Sequence, residues 1–227
     1  ADRLGRTTLT IAAMLLSGVR PGDEVIVAQN GVFGGRMKEN VERCGAAAVM
    51  VQDEWGTAVD PQKVEDAIRA HPGAKVLAFV HAETSTGARS DAATLCALAR
   101  QHGLLTIVDT VTGLGGIDVN VDGWGADAVY SGTQKCLSCI PGLSPVTFSS
   151  RAQEVIQKRQ HKVQSWFLDM GLVMAYWGGS HQRGSGRSPV AGCRGSAPPS
   201  DEEELVPTSP TCERRRRIRG ARIDWLA

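Results

Sequence analysis

The amino-acid sequence predicts an α/β fold in which a mostly parallel sheet carries helices on both faces. Short runs of apolar residues alternate along the chain with segments of helical periodicity, which is the pattern of strand–helix–strand units. The runs are almost continuously apolar, as expected for strands buried on both faces of a sheet. This alternation stops after residue 179, so the sequence predicts one domain over residues 1–179 and a disordered, low-order tail over residues 180–227.

Length and composition exclude several classes of protein. The chain has 227 residues and a formal net charge of +1, which suits one domain with a substantial core. The near-neutral charge argues against nucleic acid or an acidic membrane surface as the main partner, and no apolar run approaches the ~20 residues that span a bilayer. Six scattered cysteines do not form a disulfide framework, so we expect a reducing compartment such as the cytoplasm. Because the chain starts with Ala1, we expect a fragment or a processed protein.

The first half of the chain is expected to contribute three helices and three strands. The expected helices lie at residues 10–16, 36–43 and 62–70, and the expected strands at residues 24–28, 47–51 and 75–80. Asn30 and Gly31 are expected to form a turn after the first strand, with Phe33 at its tip. Asp60 and Pro61 give the clearest helix start, because aspartate caps the amino end and proline is favoured at the first helical position.

The second half repeats the alternation. The expected strands lie at residues 104–109, 128–130 and 145–148, and the expected helices at residues 91–102 and 153–158. Ser90 and Ser150 are the expected N-caps of these helices, and Gly103 is the expected stop of the first.

Two charged side chains follow neighbouring strands of the predicted sheet. Asp109 ends the strand at residues 104–109, and Lys135 comes shortly after the strand at residues 128–130. In open α/β sheets, ligands bind at the carboxyl ends of the strands. A Schiff-base lysine, together with an aspartate on the pyridinium nitrogen, is the protein signature of pyridoxal 5′-phosphate (PLP). The pair therefore predicts a PLP site.

The surroundings of Lys135 predict its reactivity. A lysine just past a buried strand is expected near the floor of a cleft, where desolvation favours the neutral, nucleophilic amine. Ser131, Thr133 and Gln134 supply hydrogen-bonding groups for a polyanionic ligand next to that amine.

Four motifs, in their order along the chain, resemble those of the class V, fold-type I aminotransferases. They are Asn30-Gly-Val-Phe-Gly34, His81-Ala-Glu-Thr-Ser-Thr-Gly87, Val108-Asp-Thr-Val-Thr-Gly-Leu-Gly-Gly116 and Ser131-Gly-Thr-Gln-Lys135. The likeness is strongest to the alanine–glyoxylate and serine–pyruvate aminotransferases, and it covers roughly residues 17–179. It implies the large domain of a PLP-dependent transferase of fold type I.

The resemblance implies roles for four site residues. Lys135 would form the Schiff base and, once freed, would move the proton from the donor's α-carbon to the cofactor. Asp109 would keep the pyridine nitrogen protonated. Phe33 would stack on the ring, and Thr84 would bind the oxygen substituent of the ring.

The resemblance also implies where the cofactor phosphate binds. Gln134 and Thr133 would help to bind it from the segment before the lysine. In the family, a turn of small residues that opens a helix holds the phosphate through backbone N–H groups. The corresponding segment of this chain is Gly5-Arg-Thr-Thr8, in which Thr7 and Thr8 are the candidate hydrogen-bond donors to the phosphate. The alternative is that this segment is a frayed or foreign terminus with no role in binding.

The implied reaction is a transamination between small amino acids and 2-oxo acids. Alanine or serine would be the donor, and glyoxylate or pyruvate the acceptor. Family members are homodimers with sites at the interface, so a homodimer is implied. Two alternatives stay open: another PLP reaction on the same scaffold, such as desulfuration or lysis, and a truncated chain without activity.

The tail departs from the family's pattern. Residues 180–200 are rich in glycine, serine and arginine, and an acidic block at residues 201–204 and a basic block at residues 214–217 follow. The family's segment that reaches the partner's phosphate, and its small domain with a substrate-carboxylate arginine, have no counterpart in this sequence. An out-of-frame continuation would have such a composition, which is why the inactive chain stays open.

The other notable polar residues are interpreted as structural. His81 is interpreted as a structural group, and Glu83 as a residue that orients neighbouring loops. Cys136 and Cys139 have the spacing of a redox pair or half a zinc site, but no second ligand pair stands at a suitable distance, so we expect no metal and two small residues packed beside Lys135. The glycines at residues 113–116 have the wrong spacing for a dinucleotide-binding loop.

Overall fold

A computed structural model describes residues 18–176 and the backbone of Asp224–Leu226, and its strands form one sheet. The strands are β1 (Glu24–Gln29), β2 (Ala47–Gln52), β3 (Val76–Val80), β4 (Leu105–Asp109), β5 (Ala128–Tyr130), β6 (Ser144–Phe148) and β7 (Asp224–Leu226). The helices are α1 (Val32–Arg43), α2 (Pro61–Ala70), α3 (Ala92–Gln101), α4 (Val121–Trp124), α5 (Ser150–Gln157) and α6 (Met170–Tyr176), and Trp166–Leu168 form a 3-10 helix.

The strand order in the sheet is β2-β1-β3-β4-β5-β6-β7. The five strands β1 to β5 are mutually parallel, which confirms the predicted α/β class. Strand β6 runs antiparallel to β5, and β7 runs antiparallel to β6. The connection from β5 to β6 contains no helix, and a parallel neighbour normally needs a helical crossover. The chain therefore turns directly back at β6.

Several predictions lie outside the described residues. These are the helix at residues 10–16, the segment at residues 5–8 and most of the tail at residues 180–227. The backbone of β7 belongs to that tail and pairs with β6, and the prediction of disorder for the tail as a whole stays a prediction. Within the described part of the chain, no helix combines the length and apolar character needed to cross a membrane.

The sheet separates two apolar cores, with helices on both faces as predicted. Helix α1 packs on the first face through Met37 and Val41, and helices α2 and α3 pack on the second face. Side chains alternate between the two faces along a strand. In β4, Ile107 belongs to the first core and Val108 to the second, so Asp109 points to the face that α1 covers.

The N-cap of α3 differs from the predicted one by a single residue. Asp91 caps the helix, because its carboxylate accepts a hydrogen bond from the Thr94 N–H at 3.2 Å. The predicted cap, Ser90, is buried, and its hydroxyl accepts a hydrogen bond from the Val59 N–H at 3.1 Å. The serine is therefore used to bind a distant loop, and the exposed aspartate beside it caps the helix.

A displacement of one residue in the opposite direction occurs at α5. Ser149 is the N-cap, and its hydroxyl accepts a hydrogen bond from the Ala152 N–H at 3.1 Å, whereas the predicted cap Ser150 is the first helical residue. The predicted cap of α2 is confirmed, since the Asp60 carboxylate accepts a hydrogen bond from the Gln62 N–H at 2.9 Å.

A buried polar network holds the amino end of β5. The Asp127 carboxylate accepts hydrogen bonds from the backbone N–H of Thr106 at 3.0 Å and from the Ser149 hydroxyl at 2.7 Å. It also pairs with the Arg151 guanidinium at 3.0 Å, and its own side chain is only 3% exposed. Water therefore has little access to replace these donors. The network joins β4, β5 and α5 near the amino ends of the strands, whereas the predicted ligand site lies at their carboxyl ends.

Candidate active site

Asp109 and Tyr130 end two adjacent parallel strands. They are paired across β4 and β5, so their side chains leave the same face of the sheet at its carboxyl edge. The Asp109 carboxylate is buried. Its Oδ1 accepts a hydrogen bond from the Val111 N–H at 2.8 Å, and its Oδ2 accepts one from the Tyr130 hydroxyl at 2.6 Å. The predicted site residue is thus a buried carboxylate held by two donors.

The surroundings of Asp109 raise its pKa. Burial raises the pKa from the usual 3.8 to about 6, against the hydrogen bonds from Tyr130 and Val111, which lower it. The charge of Glu83 raises the pKa further, and the charge of Lys135 lowers it. Lys135 is therefore one of the charged residues that act on Asp109, and a common site for the two residues remains a prediction.

Lys135 lies on the loop between β5 and β6, at residues 131–143. Thr133 holds this loop closed. Its N–H donates to the Leu143 carbonyl at 3.3 Å, and its buried hydroxyl lies 2.8 Å from the Ile140 carbonyl oxygen and 3.2 Å from that of Leu143. Because a hydroxyl has one proton, Thr133 uses it inside the loop. A phosphate contact from this residue remains a prediction.

The loop carries Lys135 into an exposed position. The prediction of a desolvated lysine on a cleft floor is therefore wrong for the described structure, because the loop extends past the buried end of β5. Gln134 is exposed as well. Ser131 is buried, and its hydroxyl donates to the Thr110 carbonyl at 3.1 Å. Of the three polar residues before the lysine, Gln134 is the one exposed to solvent.

Two threonines connect the loops that follow β3 and β4. The hydroxyl groups of Thr84 and Thr112 hydrogen-bond to each other, and Thr84 is exposed. The Cys136 thiol donates to the Thr112 carbonyl at 2.9 Å. The lysine loop is thereby attached to the same group of loops that contains Thr84, the residue predicted to bind the ring oxygen.

Phe33 lies in the first turn of α1, which begins at Val32 and thus earlier than predicted. The expectation that Phe33 sits at the tip of a preceding turn is therefore wrong. The ring packs against the first core, and the Arg36 guanidinium lies 4.6 Å from its centre, within cation–π range. Arg36 covers one face of the ring. Stacking of Phe33 on a cofactor ring remains a prediction.

Glu83 is a buried carboxylate that caps α1 from another loop. Its Oε2 accepts a hydrogen bond from the Phe33 N–H at 3.2 Å, and its Oε1 accepts one from the Ser85 hydroxyl at 2.7 Å. The Ser85 oxygen in turn accepts a hydrogen bond from the Val32 N–H at 3.0 Å. The helix has no side-chain cap of its own at Gly31. These contacts support the interpretation that Glu83 orients neighbouring loops.

We expect Glu83→Gln to lower the free energy of unfolding by about 1–3 kcal/mol. The amide keeps the shape of the side chain. It loses the charge that favours a helix amino end, and it replaces one acceptor with a donor that faces N–H and O–H groups. Urea unfolding measures the change.

The matched control is Glu39→Gln on the exposed face of α1, where Glu39 pairs only with Arg43 in the next turn. Such surface pairs contribute little, so we expect a change below about 1 kcal/mol. Equal unfolding free energies for the two variants would contradict the capping role of Glu83.

His81 fits its structural interpretation. It is buried, and its ring packs on Trp124 of the second core with the ring centroids 4.8 Å apart. Burial lowers the pKa of the imidazole, the charge of Arg89 lowers it further and the charge of Asp118 opposes this. The ring is therefore neutral at pH 7, and it packs with the core on the face of the sheet opposite to Asp109.

The thiols of Cys136 and Cys139 are exposed on the lysine loop. This differs from the expectation that both pack beside the lysine. Across residues 18–176, no group of three or more histidine, cysteine, aspartate or glutamate side chains could hold a metal ion.

The sequence does not predict three residues that the structure brings to this edge. Tyr130, Ser85 and Thr112 each contact a predicted site residue or its neighbour. The usable signal for Tyr130 was its position at the end of a strand adjacent to that of Asp109, in parallel register. The candidate phosphate donors Thr7 and Thr8 lie outside the described residues.

Comparisons with known proteins identify relatives of this chain. The chain is 39% identical over 156 residues to the (S)-ureidoglycine–glyoxylate transaminase of Bacillus subtilis, a match that covers 69% of this chain and 37% of the relative. It is 35% identical over 167 residues to the alanine–glyoxylate aminotransferase of Drosophila melanogaster, with 73% and 42% covered. The crystal structure of an alanine–glyoxylate aminotransferase from Nostoc sp. superposes with a TM-score of 0.73 at 43% identity, covering 77% of this chain and 46% of that one.

The family match extends over most of the chain. This chain spans less than half the length of the relatives named above. A sequence model of the family described as Aminotransferase class-V matches residues 5–164, a segment that contains Phe33, Thr84, Asp109 and Lys135. The chain therefore belongs to the class V aminotransferase family.

Proposed function

We propose that residues 1–179 are the PLP-binding large domain of an aminotransferase that moves an amino group from alanine or serine to glyoxylate or pyruvate. The observation that carries this proposal is the buried Asp109 carboxylate at the carboxyl end of β4, beside the end of β5, whose following loop carries Lys135. Glyoxylate stands in the names of both curated relatives described above, which supports it as the acceptor. A homodimer belongs to the same proposal.

The residues present fit the cofactor. A pyridinium nitrogen needs a partner carboxylate with little access to water, and Asp109 provides one. Each of its oxygens accepts one hydrogen bond, and a carboxylate has about four lone-pair sites. It therefore keeps acceptor capacity for a ring N–H. Thr84 and Lys135 are exposed residues on the loops that follow β3 and β5 at the same edge.

Each residue has a defined task in this proposal. When bound, PLP supplies an electron sink for the charge that remains after a proton leaves the amino acid's α-carbon. Asp109 holds the proton on the ring nitrogen, and Lys135 attaches the cofactor and then carries the α-proton as a general base. Phe33 packs on the ring, and Thr84 orients it. Gln134, Thr7 and Thr8 bind the phosphate, and Thr133 closes the loop that carries Gln134.

Covalent attachment tests the cofactor assignment. The chain is incubated with PLP, reduced with borohydride and digested, and the peptides are weighed by mass spectrometry. We expect one added pyridoxyl phosphate on the peptide that contains Lys135. No attachment, or attachment spread over exposed lysines, would overturn the proposal.

Turnover tests the reaction separately. Alanine and glyoxylate are added to the loaded chain, and pyruvate formation is measured beside sulfide release from cysteine. Pyruvate without sulfide supports transamination, and sulfide alone favours the desulfuration alternative. Attachment without any turnover means that this chain binds the cofactor but lacks the activity. Size-exclusion chromatography of the same sample tests the homodimer.

Binding of PLP is expected to weaken as the pH falls through about 6. The pKa of Asp109 is raised to about 6 by burial, so the carboxylate is ionised above that pH and protonated below it. The protonated form loses the charge that holds a proton on the ring nitrogen. A fluorescence titration from pH 5 to pH 8 measures the dissociation constant. Because the cofactor also titrates, Asp109→Asn is the control, and the same pH dependence in both proteins would contradict this role.

A further inference from the structure

We propose that Tyr130 is a positioning residue for Asp109, and that its hydroxyl fixes the carboxylate and keeps it in the ionised form that a ring nitrogen requires. The use to which the ionised carboxylate is put rests on the proposed function. The contact between the two residues does not, and it can be tested without any cofactor.

The position of Tyr130 leaves its hydroxyl little choice of partner. The residue is fully buried at the end of β5, and its Oη donates to Asp109 Oδ2 at 2.6 Å. The parallel pairing of Asp109 with Tyr130 sets the two Cα atoms side by side. The backbone N–H of Val111 holds the other oxygen, Oδ1, at 2.8 Å. With a donor on each oxygen, rotation of the carboxylate would break a hydrogen bond in a buried place, which is costly.

The chemistry of the pair favours one charge state. A phenol that donates to a carboxylate stabilises the anion and offsets part of the cost of burying it. Burial, and after it the nearby charge of Asp109, raises the pKa of Tyr130 well above its usual 10, so the phenol stays a neutral donor near neutral pH. The remaining charged groups that act on Asp109 are Glu83, which raises its pKa, and Lys135, which lowers it.

The variant Tyr130→Phe removes the hydroxyl and keeps the ring. Two results are expected. The pKa of the Asp109 carboxyl, followed by 13C NMR of the cofactor-free chain, rises above its wild-type value. The dissociation constant for PLP at pH 7 increases about 10-fold or more, which corresponds to the loss of one hydrogen bond to a charged group.

Thr110→Val is the matched control. It also removes one buried hydroxyl at the same strand end, but that hydroxyl donates to the backbone carbonyl of Tyr130 at 2.9 Å and not to a carboxylate. We expect it to leave the pKa of Asp109 and the PLP dissociation constant within about 2-fold of the wild type. Equal shifts in both variants would show that general loosening of the strand end is responsible, and would overturn the positioning role.

A measurement on the wild-type chain covers the case in which Tyr130→Phe does not fold. The chain has two tyrosines, so 13C labelling of the ring Cζ gives two signals, and loss of one of them in Tyr176→Phe assigns both. The Tyr130 signal should titrate with the same midpoint as the Asp109 carboxyl. A Tyr130 chemical shift that stays constant while the Asp109 carboxyl titrates would overturn the proposal.

The two hypotheses fail in different ways. If borohydride fixes no PLP on Lys135, the proposed function fails, while the NMR titrations of the cofactor-free chain still decide the role of Tyr130. If PLP is fixed on Lys135 and Tyr130→Phe changes neither the carboxyl pKa nor the PLP dissociation constant, the positioning role fails and the proposed function stands.

Discussion

Replacing Lys135 with alanine is expected to abolish covalent attachment of PLP and to lower any transamination rate by about 10²–10⁴-fold, the range for loss of a general acid–base group. The lysine supplies both the amine that holds the cofactor and the base that carries the α-proton. Borohydride trapping followed by peptide mass measurement detects the first loss, and pyruvate formation from alanine and glyoxylate measures the second.

Two further variants separate the amine from its charge. Lys135→Arg keeps a positive charge near Asp109 but has no amine that deprotonates at working pH, so it should fail in the same way as Lys135→Ala. Lys158→Ala removes an exposed lysine that pairs with Glu154 in the preceding turn of α5, and it should behave as the wild type. Attachment of PLP to Lys135→Ala at the wild-type level would mean that another lysine holds the cofactor.

Asp127→Ala is expected to lower the free energy of unfolding by about 2–4 kcal/mol, because one buried donor and two partly buried donors lose their acceptor. The substitution leaves the Arg151 guanidinium, the Ser149 hydroxyl and the Thr106 N–H without their common acceptor. Urea unfolding at pH 7 measures the change, provided that the folded baseline is reached.

Glu154→Ala is the control for Asp127→Ala. Glu154 belongs to α5, as does Arg151, but its pair with Lys158 is exposed on both sides. Its loss should change the free energy of unfolding by less than about 1 kcal/mol. A similarly small effect for Asp127→Ala would mean that water reaches the polar network and that the network does not hold β5 to its neighbours.

The parallel strands were the easiest part of the fold to predict from the sequence. Strands such as β3 and β4 are buried on both faces, so they read as continuous apolar runs and stand apart from the helices. The capping residues were harder. Ser90 and Asp91 are both good N-caps in isolation. The choice between them depended on Val59, which is distant in sequence and whose backbone N–H donates a hydrogen bond to the Ser90 hydroxyl.

The site was predictable where it depended on strand ends and unpredictable where it depended on contacts between loops. Asp109 and Lys135 follow neighbouring strands, so their order along the chain already indicated a common edge. Glu83 caps a helix that begins fifty residues earlier, and no local pattern reports that contact. Tyr130 looks like an ordinary core residue, because an aromatic side chain at the end of an apolar strand gives no sign of the partner that its hydroxyl will find.

The residues at the two ends of β5 make different sets of contacts. Asp127 precedes the strand and Tyr130 ends it, so their backbones lie about 10 Å apart at the rise of an extended strand. Sites at that distance without shared partners usually contribute additively. The effects on folding of substitutions at Tyr130 and at Asp127 should therefore add. A lineage that carries this chain can change the residues at the ligand-facing end of β5 while the contacts of Asp127 continue to hold the strand to its neighbours.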